Sequence, residues 1–159
     1  MKNWDETWIK LAHEFSKKSK DPSTKVGCII VGEGNVVLSM GFNGFPRNID
    51  ETRPERWERP AKYVWVEHAE RNCCHNAARH GIKLMGATAY MNWDPIPCVE
   101  CTKALIQSGI SQLVGPKNRS FKARPNASNM DYQFDVSVTM LKEAGILIRE
   151  VEVDLNLFD

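Results

Sequence analysis

Two short stretches carry side chains that could hold a metal ion and move protons: His68-Ala69-Glu70 and Pro97-Cys98-Val99-Glu100-Cys101. Cys98 and Cys101 stand three positions apart, a spacing that lets two thiolates reach one ion from a single helical turn. His68 supplies an imidazole as a third ligand. Zn²⁺ is the best match for such a mixed nitrogen and sulfur set. Structural zinc is usually closed by four protein ligands, whereas three leave a position for water. The set His68, Cys98 and Cys101 therefore predicts an open centre. Glu70 is a poor fourth ligand, because residues two apart on a regular helix point about 200° apart. At the start of a helix, both side chains can still face one cavity without binding the same atom. A carboxylate in that place suits proton transfer.

The elements around these stretches predict how they meet. Trp4, Trp8, Leu11, Ala12 and Phe15 recur at helical spacing, and Asp21-Pro22-Ser23 ends that pattern. The apolar runs Val26 to Val31 and Val36 to Met40, separated by Gly32-Glu33-Gly34-Asn35, read as a β-hairpin. Regular pattern fails from Gly41 to Lys62, where Gly, Pro and mixed charges dominate. Helices are expected over His68 to His80, Pro97 to Ser108 and Asp131 to Ala144, each followed by glycine. Strands are expected over Ala87 to Met91, Ile110 to Val114 and Ile146 to Val153, with a loop over Gly115 to Met130. This alternation favours an α/β three-layer sandwich, a central mixed five-stranded sheet with helices on both faces. Both chemical stretches open helices, where ligand sites gather beside strand ends. Helix N-termini also stabilise thiolates.

Composition narrows the class. The 159 residues are expected to form one domain, 1–159. Hydrophobic residues make up 42% and charged residues 26%, and mean hydropathy is −0.41, which argues against disorder and against a membrane span. A net charge of +1 gives no electrostatic case for a nucleic-acid partner. The polar start, Met1 to Asp5, reads as no export signal, so a cytoplasmic location is expected. Five cysteines are an odd number for a disulfide framework and suit thiol or metal chemistry. Arg47, Arg53, Arg56 and Arg59 lie among Asp50, Glu51, Glu55 and Glu58 and read as a salt-linked surface, with a phosphate or a neighbouring subunit as alternatives.

The combination His-x-Glu followed by Pro-Cys-x-x-Cys is the signature of zinc-dependent nucleobase deaminases. The chain resembles the cytidine deaminase superfamily and, more narrowly, the deoxycytidylate (dCMP) deaminases. Asp21-Pro22-Ser23-Thr24-Lys25-Val26-Gly27, Gly41-Phe42-Asn43-Gly44-Phe45-Pro46 and Gln107-Ser108-Gly109-Ile110 carry the narrower likeness. The resemblance implies hydrolytic deamination of dCMP to dUMP with loss of ammonia. His68, Cys98 and Cys101 would hold Zn²⁺, and Glu70 would shuttle protons. The Ala69 N–H would bond the base, and Asn43 would contact the nucleotide. Lys25 is a further candidate for a nucleotide or effector contact. The resemblance also implies a homo-oligomer, commonly a hexamer, and dCTP and dTTP as effectors.

Two stretches depart from the family pattern. The run Tyr90 to Pro97 is longer than the usual connection to Pro-Cys, and Cys73-Cys74 stands where Ala-Ile is usual. Cys28, Cys73 and Cys74 read as small buried apolar residues, with a second zinc held by them and His75 as the alternative. Rival functions are deamination of another or modified cytosine nucleotide, a tRNA adenosine deaminase-like activity, and an inactive nucleotide-sensing zinc module.

Overall fold

In a computed structural model, residues 3–119 and 132–155 are described. Most of the expected 115–130 loop, the first residue of the expected 131–144 helix and residues 156–159 lie outside them. The elements run α1 (Trp4–Ser16), β1 (Gly27–Gly32), β2 (Val36–Phe42), α2 (Lys62–Trp65), α3 (Ala69–Arg79), β3 (Thr88–Met91), α4 (Val99–Gln107), β4 (Gln112–Pro116), α5 (Phe134–Glu143) and β5 (Leu147–Val151). The sheet order is β2-β1-β3-β4-β5. β1 is antiparallel to β2 and β3, while β3, β4 and β5 are mutually parallel. This is the mixed five-stranded sheet that the alternation predicts.

Alternation along the strands divides the core. Ile29 and Val31 of β1 and Tyr90 of β3 join Trp8, Ile9 and Ala12 of α1 on one face. Cys28, Ile30, Ala89 and Met91 point the other way, toward Ala69, Cys73 and Ala77 of α3 and Leu105 of α4. Ile9, Ile29 and Ile30 are fully buried, and each such side chain stabilises by about 1.5–3 kcal/mol before entropic costs. α1 sits directly on β1 at Gly27, where a Cβ would lie 2.0 Å from the Ala12 carbonyl oxygen.

The hairpin forms, with an irregularity. Its connection is a 3₁₀ turn over Glu33–Asn35, and Gly34 and Asn35 take positive φ. Register shifts between Ile30 and Val31, which pair with Ser39 and Val37, so Leu38 bulges. The stretch 41–62 holds a 3₁₀ turn, Pro54–Arg56, and ends in α2, a single turn. Among the described residues, no helix is long and apolar enough to cross a membrane.

Candidate active site

Both chemical stretches begin helices through their cap residues. His68 is the N-cap of α3 and Cys98 the N-cap of α4, each with extended backbone. Pro97 therefore precedes the cap instead of sitting in the first turn. Because His68 lies off the helix, the 200° separation expected of two helical residues does not apply. His68 and Glu70 both line one cavity of about 370 Å³, with Ala69, Cys98 and Asn43 also on its wall. α3 is placed by close backbone contact with β2. A Cβ at Gly41 would lie 2.5 Å from the Ala69 carbonyl oxygen. Asn72 and Asn76 of α3 donate to the Phe42 and Met40 carbonyls at 2.8 and 2.7 Å.

The three ligand candidates meet. His68 Nδ1 is 3.3 Å from Cys98 Sγ and 3.4 Å from Cys101 Sγ, and all three donor atoms lie within 4.8 Å of one another. Tetrahedral Zn²⁺ at 2.0–2.3 Å from such donors requires donor–donor edges of about 3.5 Å. The donor set and its spacing therefore fit zinc. Cys98 and Cys101 are buried, and the Cys98 thiol is held well below the ordinary range, first by its hydrogen bond with Cys101 and then by His68, against burial. Burial pushes the Cys101 thiol up. The pair thus presents one prepared thiolate at a helix start. Burial likewise pushes the Glu70 carboxyl up. Ala69 is the first residue of α3, where an N–H has no intrahelical acceptor and can serve a ligand.

No second metal cluster accompanies this one among the described residues. Cys28 and Cys73 are fully buried, with the Cys73 thiol donating to the Cys28 carbonyl at 3.0 Å, and the exposed His75 faces Glu67 at 3.4 Å.

Asn43 reaches the cavity wall, but its polar atoms are engaged in the neighbouring loop. Its Oδ1 accepts from the Val26 N–H at 2.9 Å, and its Nδ2 donates to the Thr24 carbonyl at 2.8 Å and to Asp21 Oδ2 at 3.2 Å. Lys25 is exposed and does not line the cavity. Two further groups were invisible in the local sequence. Lys62 donates to Asp21 at 2.6 Å and to Ser23 at 2.8 Å, across 41 and 39 positions. Burial alone would raise the Asp21 carboxyl, but Lys62 and the Ser23 and Thr24 N–H groups outweigh it and hold it below its ordinary value.

The second group is the long 90–97 connection. Asn92, fully buried, accepts from the Gly27 N–H at 2.8 Å and donates to the Lys25 carbonyl at 3.2 Å and Ser16 Oγ at 3.1 Å. The Trp93 indole N–H donates to the same Lys25 carbonyl at 3.1 Å. Asn43 and Asn92 together fix the 24–27 segment beneath the cavity. Asn92→Ala strands the buried Gly27 N–H, and a loss of about 1–3 kcal/mol is expected. The measurement is the chemical-denaturation midpoint, and an unchanged midpoint contradicts the clamp.

An open imidazole–thiolate centre, a buried carboxylate and a mixed five-stranded sheet together define a zinc-dependent deaminase architecture. Residues 2–115 match the family model for the cytidine and deoxycytidylate deaminase zinc-binding region. The chain belongs to that family. A probable deoxycytidylate deaminase of Caenorhabditis elegans is 35% identical over 116 residues, covering 70% of this chain and 56% of that protein. The matched segment thus spans little more than half of that relative. A probable deoxycytidylate deaminase of Drosophila melanogaster is 33% identical over 151 residues, covering 82% of this chain and 71% of that protein. The crystal structure of the dCMP deaminase from cyanophage S-TIM5 in complex with dCMP and dUMP shares the fold, with a TM-score of 0.73 and 23% identity over 95% of this chain and 99% of that one.

Proposed function

We propose that this chain deaminates dCMP hydrolytically to dUMP, with release of ammonia. The observation that carries the reading is the His68–Cys98–Cys101 triangle opening onto the cavity that also holds buried Glu70. Support for dCMP comes from the deoxycytidylate deaminase relatives and from the phage enzyme that binds dCMP and dUMP. Zn²⁺, when bound by His68, Cys98 and Cys101, supplies a Lewis acid that brings the pKa of a coordinated water to about 7.

The chain's own residues do the rest. Glu70 takes a proton from the attacking water and gives it to ring N3. The water oxygen bonds to C4, making a tetrahedral centre. Glu70 then carries the second proton to the amino group, the C4–N bond breaks and ammonia leaves. dCMP and water thus become dUMP and ammonia, with no electron gained or lost. The Ala69 N–H orients the base, and Asn43 shapes the wall against which the nucleotide lies. The buried inner end of the cavity keeps the carboxylate close to the ring.

The test is turnover of dCMP, dCTP, deoxycytidine, 5-substituted dCMP and an adenosine stem-loop by the zinc-loaded protein. dCMP is expected to be the best substrate. Turnover of the stem-loop without dCMP overturns the reading, and a preference for a 5-substituted nucleotide moves it to a modified cytosine. The same reading includes a homo-oligomer and dCTP and dTTP as effectors. Light scattering, and the dCMP assay repeated with either triphosphate, check those two points.

A further inference from the structure

The four arginines between residues 47 and 59 look alike in sequence but have different surroundings. Arg53 pairs with Asp50 at 3.1 Å. Arg56 donates to the Asp50 carbonyl at 2.9 Å and lies over the Trp65 ring at 4.0 Å. Arg47 donates to the Asn76 side-chain carbonyl. Of these three only Arg53 is salt-linked to carboxylates, to Asp50 and Glu55, so among the described residues the salt-linked surface that the charge pattern suggests forms only in part. Arg59 differs in where it points. Of the four, it alone lines the cavity. Like Arg47 and Arg56, it has no carboxylate partner among the described residues, and its one hydrogen bond is from Nε to the Tyr63 hydroxyl at 2.9 Å. That bond and the Tyr63 ring, 5.9 Å from the guanidinium carbon, hold the stem and leave both terminal nitrogens for a ligand.

The other cation on this wall is already satisfied. Lys62 spends its charge on Asp21, and the Ser23 hydroxyl donates to Asp21 at 3.0 Å while accepting from Lys62. Arg59 is exposed, whereas Glu70 and Cys98 are buried. The cavity therefore runs from a reacting end at Glu70 to an open end with one unpaired guanidinium. A planar guanidinium with free terminal nitrogens suits two parallel hydrogen bonds to a phosphate.

We propose that Arg59 is the specificity-determining residue that selects a 5′-phosphorylated nucleotide over the free nucleoside, with Tyr63 positioning its side chain. The inference rests on the dCMP reading above. Arg59 touches no reacting atom, so its effect falls on the phosphate alone. A charge-assisted pair of hydrogen bonds at a partly open site amounts to about 10- to 100-fold in binding.

The experiment compares the zinc-loaded wild type with Arg59→Ala and Arg59→Lys. The ratio of kcat/KM for dCMP to that for deoxycytidine is expected to fall about 10- to 100-fold in Arg59→Ala, with the loss mainly in KM. Arg59→Lys keeps the charge but not the fork and should fall between. Equilibrium binding of dUMP against deoxyuridine should show the same loss of discrimination without any chemistry. A ratio that does not change overturns the proposal, whether both substrates suffer equally or neither does. If wild type turns over dCMP and the ratio stays fixed, only the Arg59 assignment fails. If wild type turns over no dCMP, the reading beneath it fails first.

Discussion

Glu70→Gln is expected to leave a folded, zinc-loaded protein whose dUMP release falls by about 10²- to 10⁴-fold. Glutamine has almost the same shape as glutamate but cannot carry a proton between water, ring nitrogen and leaving amine. Glu70 is 7% exposed on the first turn of α3, with the Ala69 backbone held against Gly41 of β2. The substitution therefore removes the proton carrier and changes little else. The measurement is single-turnover dUMP formation, with zinc content and the thermal midpoint determined on the same sample. Retained turnover with retained zinc refutes the proton-shuttle role. A variant that loses zinc places Glu70 in the metal's support instead. An inactive nucleotide-sensing module predicts no effect on chemistry, because it has none to lose.

Cys101→Ser is expected to lose zinc and, with it, activity down to background. Cys101 is fully buried on α4, 3.4 Å from His68 Nδ1. A hydroxyl replaces a soft thiolate with a weak ligand that stays protonated at neutral pH. Even the loss of a group that supports a metal ligand lowers affinity 10- to 100-fold, so losing a ligand itself should cost more than about 100-fold. Zinc bound to the folded state stabilises it by mass action, by about 4 kcal/mol at a thousand times Kd. A chelator should therefore lower the thermal midpoint of the wild type and leave that of Cys101→Ser nearly unmoved. One zinc per chain in the variant, with wild-type turnover, refutes the assignment.

The two variants test different parts of one site, and they differ in how far their residues could be read from sequence. Cys98 and Cys101 were legible as a pair because three positions of chain at a helix start keep them close, although Cys98 proves to be the cap and only Cys101 lies in the helix. His68 was legible as a partner only through the alternation of strands and helices, which brings two helix starts to one side of a sheet. The strand pattern also gave the division of the core, since Ile29 and Ile30 must face opposite sides. The bulge at Leu38 and the single turn α2 escaped, because neither repeats long enough to leave a period.

What the sequence determined by itself is local: the two helix starts that carry the imidazole and the thiolate pair, the hydrophobic alternation of a mixed sheet and the residue types that suit zinc. Only the tertiary structure decided the rest. It turned Asn43 toward the loop backbone, closed Asp21 on Lys62 from 41 positions away and drew Asn92 and Trp93 under the Lys25 carbonyl. It also separated Arg59 from three arginines of the same stretch. Hydrogen bonds and ion pairs depend on distance in space, and a chain pattern records distance only within one turn or one strand. Partners from separate elements become visible when the sheet and its helices have set them side by side.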